Sequence, residues 1–200
     1  MKVILFGATG AIGTQVQKAL ETSGHEVIGV GRKTGRYQAD MGDRESLRKL
    51  YQTIGSFDAV VSAAGEVAFA PLERLGAEEW KRSLEGKFLG QVQLVQEAIP
   101  YIREKGSFTL VSGILADEPI VAGAAATAVN RAIEGFALAA AIELPKGLRI
   151  NVVSPTVLEE SMKTYGPFFP GFIPVPGAKV AQAFLKSILG AQTGEVYRVF

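Results

Sequence analysis

The fold is decided by a stretch near the amino terminus that reads Lys2-Val3-Ile4-Leu5-Phe6-Gly7-Ala8-Thr9-Gly10-Ala11-Ile12-Gly13. The apolar run from Lys2 to Phe6 predicts a short buried strand. Apolar residues then recur at helical spacing from Ala11 to Thr22, which predicts a helix. The chain therefore begins with a strand, a glycine-rich turn and a helix, the order that opens many parallel α/β folds.

Each glycine of this turn has a physical reason. Gly7 permits a tight turn, Gly10 lets the backbone approach a pyrophosphate, and Gly13 lets the helix pack closely on the strand. The free N–H groups at the start of the helix would face the anion. In this context the spacing Gly-x-x-Gly-x-x-Gly predicts a dinucleotide-binding turn; the alternative is a glycine-rich turn without a ligand.

Strands and helices alternate along the rest of the chain. Further strands are predicted at 27–30, 37–40, 59–63, 108–111, 148–153 and 195–200, and helices at 43–54, 77–102, 124–144 and 178–189. This alternation predicts one domain over residues 1–200. Its fold class is α/β: a doubly wound, Rossmann-type parallel sheet of about seven strands with helices on both faces.

Composition excludes several classes of function. The 200 residues are 48% hydrophobic and carry 21 Lys and Arg against 20 Asp and Glu, so no strong field exists to hold nucleic acid or a membrane surface. The absence of Cys and the single His exclude a disulfide framework, a thiol nucleophile and a His-rich metal site. The uncharged stretch 164–178 contains four prolines and three glycines and cannot be a spanning helix. We expect a soluble, cytoplasmic protein.

The end of the second strand, Val30-Gly31-Arg32-Lys33, bears on the choice of cofactor. An NAD-selective site places an acidic residue here to accept the ribose hydroxyls, and this segment has none. Arg32 offers a planar fork and Lys33 a point charge to a ribose 2′-phosphate, which favours NADP(H) over NAD(H). The alternative is that both side chains belong to a solvated loop.

Five motifs together resemble the short-chain dehydrogenase/reductase family over nearly the full length. They are Gly7–Gly13, Asp40-Met41, Ser62-Ala63-Ala64-Gly65, Ala132-Ile133-Glu134-Gly135-Phe136 and Arg149–Pro155. The resemblance implies a nicotinamide cofactor and the reduction of carbonyls or oxidation of alcohols. It implies phosphate contacts at Thr9, Ala11 and Ile12, adenine contacts at Asp40 and Met41, close passage of the cofactor at Ala63, Ala64 and Gly65, and carboxamide contacts at Pro155 and Leu158.

The family's catalytic pattern is not in place. Members use a Tyr-x-x-x-Lys pair on the helix after the fifth strand, a serine about 13 residues earlier, and often an asparagine on the preceding long helix. Here Ala126 stands at the tyrosine position, Asn130 at the lysine position and Lys87 at the asparagine position. Gly113 falls at the serine position, with Ser112 one residue away. The chain therefore resembles a compact, atypical member of the family.

The missing tyrosine has a chemical consequence. Reduction of an ordinary ketone leaves an alkoxide that a positioned acid must protonate, and alanine cannot do so. Either another acid serves, with Lys87, Ser112 and Tyr165 as candidates, or the acceptor is quinone-like and needs little help. Each candidate also has a structural alternative: Ser112 could satisfy a strand-end backbone group, Tyr165 could pack in its loop, and Lys87 could be solvated or contact the ribose.

Residues 156–177 occupy the place of the family's substrate-covering loop. Aromatic and branched side chains lie there between prolines, at Phe168, Phe169, Phe172 and Ile173. They predict a stiff lid over an apolar, planar substrate pocket. The alternative is that they seal the core or an oligomer contact.

The leading hypothesis is an NADP(H)-dependent oxidoreductase that moves hydride to or from a small apolar acceptor. Two alternatives are a non-catalytic NADP(H)-binding sensor or scaffold, and an epimerase or isomerase, for which no carboxylate pair is present. The predicted helix 124–144 is rich in alanine and includes Gly135. Because family members commonly pair this helix and the one before it across a dimer, the resemblance implies a homodimer or homotetramer.

Overall fold

The computed structural model describes residues 1–200 and contains seven strands and seven α-helices. The strands are β1 Lys2–Phe6, β2 Glu26–Gly31, β3 Tyr37–Gln38, β4 Phe57–Ser62, β5 Ile102–Val111, β6 Arg149–Pro155 and β7 Val196–Val199. The helices are α1 Ala11–Thr22, α2 Arg44–Ile54, α3 Ala77–Ser83, α4 Gly90–Ala98, α5 Ala124–Glu143, α6 Met162–Tyr165 and α7 Gly177–Leu189. A π-helical segment, Leu84–Leu89, joins α3 to α4.

All seven strands form one parallel sheet in the order β3-β2-β1-β4-β5-β6-β7. Side chains of β1 alternate between its faces. Ile4 and Phe6 belong to the core that includes α2, α4 and α5, whereas Val3 and Leu5 belong to the core that includes α1 and α7. A parallel sheet buried on both faces requires such continuous apolar strands. The predicted doubly wound α/β fold is confirmed.

The strand order places a crevice at the carboxyl ends of β1 and β4. The chain leaves β1 toward β2 on one side, and β4 pairs with β1 on the other. Such a switch point separates the two crossover connections and leaves a gap where ligands bind in this architecture. Gly7 follows β1 and Ala63 follows β4 at this edge, and Gly31 is the last residue of β2.

The predicted continuous helix over 77–102 is interrupted, and it ends near Pro100, where a proline should end or kink it. It contains the π-helical segment Leu84–Leu89, and it ends at Ala98, before Pro100, which cannot continue a helix. The following strand accordingly begins at Ile102 and not at Phe108. The predicted third strand is also shorter, since only Tyr37 and Gln38 pair with β2.

Helix α5 is long and apolar enough to cross a membrane, by length and composition alone, with a mean hydropathy of 1.2 over 18 residues. Of that window, 44% is buried inside the fold. Val129, Ile133 and Ala137 pack in the same core as Ile150 and Val152 of β6. The apolar character of α5 is thus that of a helix covering the sheet.

Candidate active site

The β1–α1 turn is built from close backbone approaches. Gly7 has a φ of +79°, a left-handed conformation, and a Cβ there would lie 2.8 Å from the carbonyl oxygen of Ala63. A Cβ on Gly13 would collide with the carbonyl oxygen of Gly7. Helix α1 can therefore begin directly against the end of β1 only because both residues are glycine.

The start of α1 leaves backbone donors free. Its N-cap is Gly10, no side chain caps it, and its first turn contains no acidic residue. The Thr14 amide donates to the Gly10 carbonyl at 2.9 Å, so the amides of Ala11, Ile12 and Gly13 precede the first helical hydrogen bond. Three unpaired donors at the positive end of a helix suit a pyrophosphate.

A cavity of about 640 Å³ extends along the crevice beside this turn. Its walls contain seven of the residues predicted to bind the cofactor: Gly7, Thr9, Arg32, Asp40, Met41, Ala64 and Gly65. They also contain Thr34, Glu66, Arg82, Glu85 and Gly86, which the sequence did not single out. Lys33 lies outside these walls. The volume is that of a typical small-ligand site.

Asp40 and Met41 are held by a local turn. The Asp40 Oδ1 atom accepts a hydrogen bond from the Gly42 amide at 2.9 Å, and the Asp40 amide donates to Ser46 Oγ at 3.2 Å. Met41 packs so close to α4 that a Cβ on Gly90 would lie 3.1 Å from its Cβ. These contacts fix the wall of the cavity opposite Gly7.

A second polar centre lies at the carboxyl ends of β4 and β5. The Lys87 Nζ atom donates to the Ser112 carbonyl at 3.0 Å and to Asn130 Oδ1 at 2.7 Å. The stem of Lys87 crosses Gly65 so closely that a Cβ on Gly65 would collide with Lys87 Cγ. Burial lowers the pKa of the Lys87 ammonium from 10.5 to about 8. An ammonium has three donors, so one remains beyond these two bonds.

The Ser112 hydroxyl hydrogen-bonds Glu134 and not Lys87. The hydroxyl donates to Glu134 Oε1 at 3.0 Å, and both residues are buried. The Glu134 carboxylate also lies 3.3 Å from an Arg131 guanidinium nitrogen and 3.8 Å from one of Arg198. The Ser112 hydroxyl thus supports the β5 end through a charged network and has no free proton to offer.

Two of the four apolar side chains predicted to form the lid cover the position of the missing tyrosine. The Phe169 and Phe172 rings meet edge to face at 5.2 Å and pack with Ile114, Leu115 and Ala126. Phe168 and Ile173 are exposed, and Tyr165 on α6 is 51% exposed. Tyr165 lies outside this apolar cluster and makes no hydrogen bond to Lys87 or Asn130.

The base of the lid is closed by backbone hydrogen bonds. Leu158 and Val175 form a parallel bridge, in which the Val175 amide donates to the Val157 carbonyl at 3.1 Å. Next to it, after Pro155, the Thr156 Oγ1 atom is buried without a hydrogen-bond partner. An unpartnered hydroxyl here, together with the free amides of α1 and the glycine-lined cavity, fits a nicotinamide dinucleotide.

Comparison with known proteins agrees with this geometry. The family profile described as enoyl-(acyl carrier protein) reductase matches residues 5–188. The solved structure of the protein lin1944 from Listeria innocua is 48% identical, with a TM-score of 0.98 and complete coverage of both chains. A small-chain dehydrogenase in complex with NADPH is 27% identical, with a TM-score of 0.88 over 100% of this chain and 96% of that one.

An uncharacterised oxidoreductase of Methylorubrum extorquens is 27% identical over 82% of this chain and 75% of its own length. The chain spans between 61% and 75% of the length of four curated relatives that it matches, and 39% of the length of another. The chain belongs to the short-chain dehydrogenase/reductase family and is an NAD(P)-dependent oxidoreductase of that type.

The sequence predicts the β1–α1 turn but not most of the residues that surround it in the cavity. Thr34 and Arg82 reach the cavity through tertiary packing and carry no motif of their own. The family resemblance assigns Asn130 to the lysine position and Lys87 to the asparagine position. Nothing in the sequence indicates that the two side chains contact each other. The one available signal was a lysine and an asparagine standing at each other's family positions.

The lowered pKa of Lys87 predicts how stability depends on pH. Between pH 8 and 10.5 the unfolded chain holds a proton that the folded protein has released, so the free energy of unfolding rises with pH. The full shift is equivalent to about 3 kcal/mol. We expect urea unfolding from pH 7 to 10.5 to show this rise in the wild type relative to Lys87→Met. Parallel pH curves for the two proteins would contradict the lowered pKa.

Proposed function

We propose that the protein binds NADP(H) along the β1–α1 turn and transfers hydride to or from a small apolar carbonyl acceptor, such as a quinone, without a Tyr-x-x-x-Lys pair. The observation that carries the proposal is the cavity that runs from Arg32, past Gly7, to Gly65. It begins at Arg32, where a 2′-phosphate would lie, and ends at Gly65, against the stem of Lys87. The NADPH complex of a family member supports the choice of cofactor.

The end of β2 favours the phosphorylated cofactor. Arg32 and Thr34 both line the cavity, and the chain folds back so tightly that a Cβ on Gly31 would collide with the Thr34 carbonyl. A guanidinium and a hydroxyl provide donors for a phosphate, whereas ribose hydroxyls would need an acceptor. Lys33 stands outside the cavity and adds only positive charge nearby.

When bound, NADPH supplies a hydride, and the residues of this chain bind and shield it. The amides of Ala11, Ile12 and Gly13 bind the pyrophosphate, and Arg32 pairs with the 2′-phosphate. Thr156 offers its free hydroxyl to the carboxamide, beside Pro155 and Leu158. Phe169 and Phe172 exclude water from the reacting end.

The surroundings of Ala126 favour an apolar, flat acceptor. Ile114, Leu115, Phe169 and Phe172 contribute only apolar surface there, and no carboxylate is among them. A quinone that accepts hydride becomes a weaker base than the alkoxide of a simple ketone, so it places a smaller demand on a proton donor.

The acceptor preference can be measured by following the loss of NADPH absorbance. We expect faster turnover with benzoquinones and naphthoquinones than with aliphatic ketones, because less proton transfer is needed. Gly13→Val is the matched control, since its side chain collides with the Gly7 carbonyl and should abolish NADPH binding. Tight NADPH binding without turnover of any acceptor would instead support the sensor or scaffold alternative.

A preference for NADPH predicts that a substitution at the end of β2 weakens NADPH binding more than NADH binding. Arg32→Ala should weaken NADPH binding roughly 10- to 100-fold, as expected for a lost charged hydrogen bond, and leave NADH binding nearly unchanged. Calorimetric titration of both cofactors measures this. Arg36→Ala is the matched control, because Arg36 is exposed, stacks on Tyr37 at 5.3 Å and lies outside the cavity. Equal losses for NADPH and NADH at Arg32 would contradict the preference.

We also propose that the protein forms a homodimer or homotetramer through α5. Leu138 is 66% and Ile142 89% exposed on this helix. Gly135 on the same helix is also exposed, and its lack of a side chain lets a second helix approach closely. A cytoplasmic location stays a prediction.

A charged residue on the exposed face of α5 should dissociate the proposed homodimer or homotetramer. We expect Ile142→Glu to shift the mass in analytical ultracentrifugation to that of a monomer, because a carboxylate would be buried in an apolar contact. Leu72→Glu, at a residue 70% exposed outside α5, should leave the assembly intact. A monomeric wild type would exclude the proposal.

A further inference from the structure

We propose that Lys87 is the proton donor of the reaction, giving a proton from Nζ to the acceptor's oxygen as hydride reaches the adjacent carbon. The inference rests on the proposed function and names the residue that replaces the absent phenol. It is carried by the position of Lys87, by its hydrogen-bond partners and by what surrounds them.

The backbone at Lys87 departs from α-helical geometry beside the cavity. Lys87 lies inside the π-helical segment Leu84–Leu89, and π-turns within helices are frequent at functional sites because they redirect side chains. The redirected stem crosses Gly65 at the end of the cavity. The tip reaches the Ser112 carbonyl at the end of β5.

The tip of Lys87 also reaches the face of α5 that carries Ala126. Asn130, which accepts from Nζ at 2.7 Å, stands four residues after Ala126 on α5, so the two share one helix face. Phe169 and Phe172 of the lid pack with Ala126 in one apolar cluster. An acceptor beneath the lid would therefore meet the third, unused donor of the ammonium.

The surroundings allow the proton to leave. The two acceptors of Lys87 are a neutral carbonyl and a neutral amide, so no carboxylate holds the ammonium in its charged form. Charged side chains on the neighbouring elements are Glu66 after β4, Arg82 and Glu85 on the same helical stretch, and Glu134 and Arg131 on α5. None of them hydrogen-bonds Lys87, and burial alone lowers its pKa, to about 8. An acid with a pKa near the working pH is the efficient kind.

The other two candidates are less suitable. Ser112 donates its hydroxyl proton to Glu134. Tyr165 is half exposed on α6 and does not belong to the apolar cluster around Ala126. Among Lys87, Ser112 and Tyr165, only Lys87 combines a free donor with a place at the end of the cavity.

In the proposed step the hydride, the electron pair and the proton each have a source and a destination. NADPH is the reductant, and its hydride carries two electrons to the carbonyl carbon of a ketone, or to a ring carbon of a quinone that is conjugated with its carbonyl group. The π pair of the C=O bond moves to oxygen, which takes a proton from Lys87 Nζ. The products are NADP⁺, the reduced acceptor and a neutral amine, which regains its proton from solvent because Lys87 is only partly buried.

Two substitutions separate proton donation from charge. Lys87→Met should lower kcat about 100-fold or more with aliphatic ketones and by a smaller factor with quinones, and it should leave the NADPH Kd within about twofold. Lys87→Arg keeps the positive charge and the donors, but a guanidinium does not release its proton, so it should lose activity too. Lys81→Met, at an exposed lysine of α3, is the matched control and should behave as the wild type. Full activity in Lys87→Arg would overturn the proposal.

A second readout does not depend on turnover. NMR titration of lysine labelled with ¹³C at Cε, in the protein without cofactor, should show one resonance with a midpoint near pH 8 that Lys87→Met removes. Asn130→Asp places a carboxylate beside Nζ and should raise that midpoint by about one unit or more. Because reduction needs the protonated amine, kcat/KM should fall above the midpoint, and Asn130→Asp should move this fall to higher pH.

The two failures are distinguishable. A wild type that binds NADPH but reduces no acceptor would overturn the proposed function. A Lys87 midpoint near 10.5, or an unmoved pH profile in Asn130→Asp, would overturn the role of Lys87 while leaving the proposed function in place.

Discussion

The contact on which the structure depends is the packing of Gly13 against the carbonyl of Gly7. Because no side chain fits between them, α1 begins at the very end of β1 and its free amides open into the crevice between β1 and β4. A larger residue at either position would push the helix away and close the anion site. The choice of two glycines thus fixes both the first crossover and the place where a dinucleotide can bind.

The other end of the site is organised by polar contacts between elements far apart in sequence. Lys87 ties the π-helical segment to β5 and α5, and Ser112 ties β5 to Glu134. The carbonyl of Ser112 accepts from Lys87 while its hydroxyl donates to Glu134, so a single residue couples the two networks. Rigid support of this kind holds a reacting group in place before the substrate arrives.

Sequence patterns predicted the features that depend on local spacing. The β1–α1 turn, the alternation of strands and helices and the extent of α5 follow from glycine positions and from apolar periodicity. The π-helical segment escaped prediction because one extra residue per turn hardly disturbs the apolar spacing of a long helix. Thr34 and Arg82 escaped because only tertiary packing brings them to the cavity, and the Lys87–Asn130 contact joins residues 43 positions apart.

The energetics of Lys87 point to chemistry more than to architecture. Burying an ammonium without a carboxylate disfavours its charged form, and the two hydrogen bonds that Lys87 makes do not restore its pKa to the ordinary value. A neutral donor would join the Ser112 carbonyl to Asn130 without that cost. A group that is expensive for the fold and sits beside a cofactor-sized cavity is where pKa tuning for catalysis is expected. The destabilising charge and the releasable proton are then two consequences of the same burial.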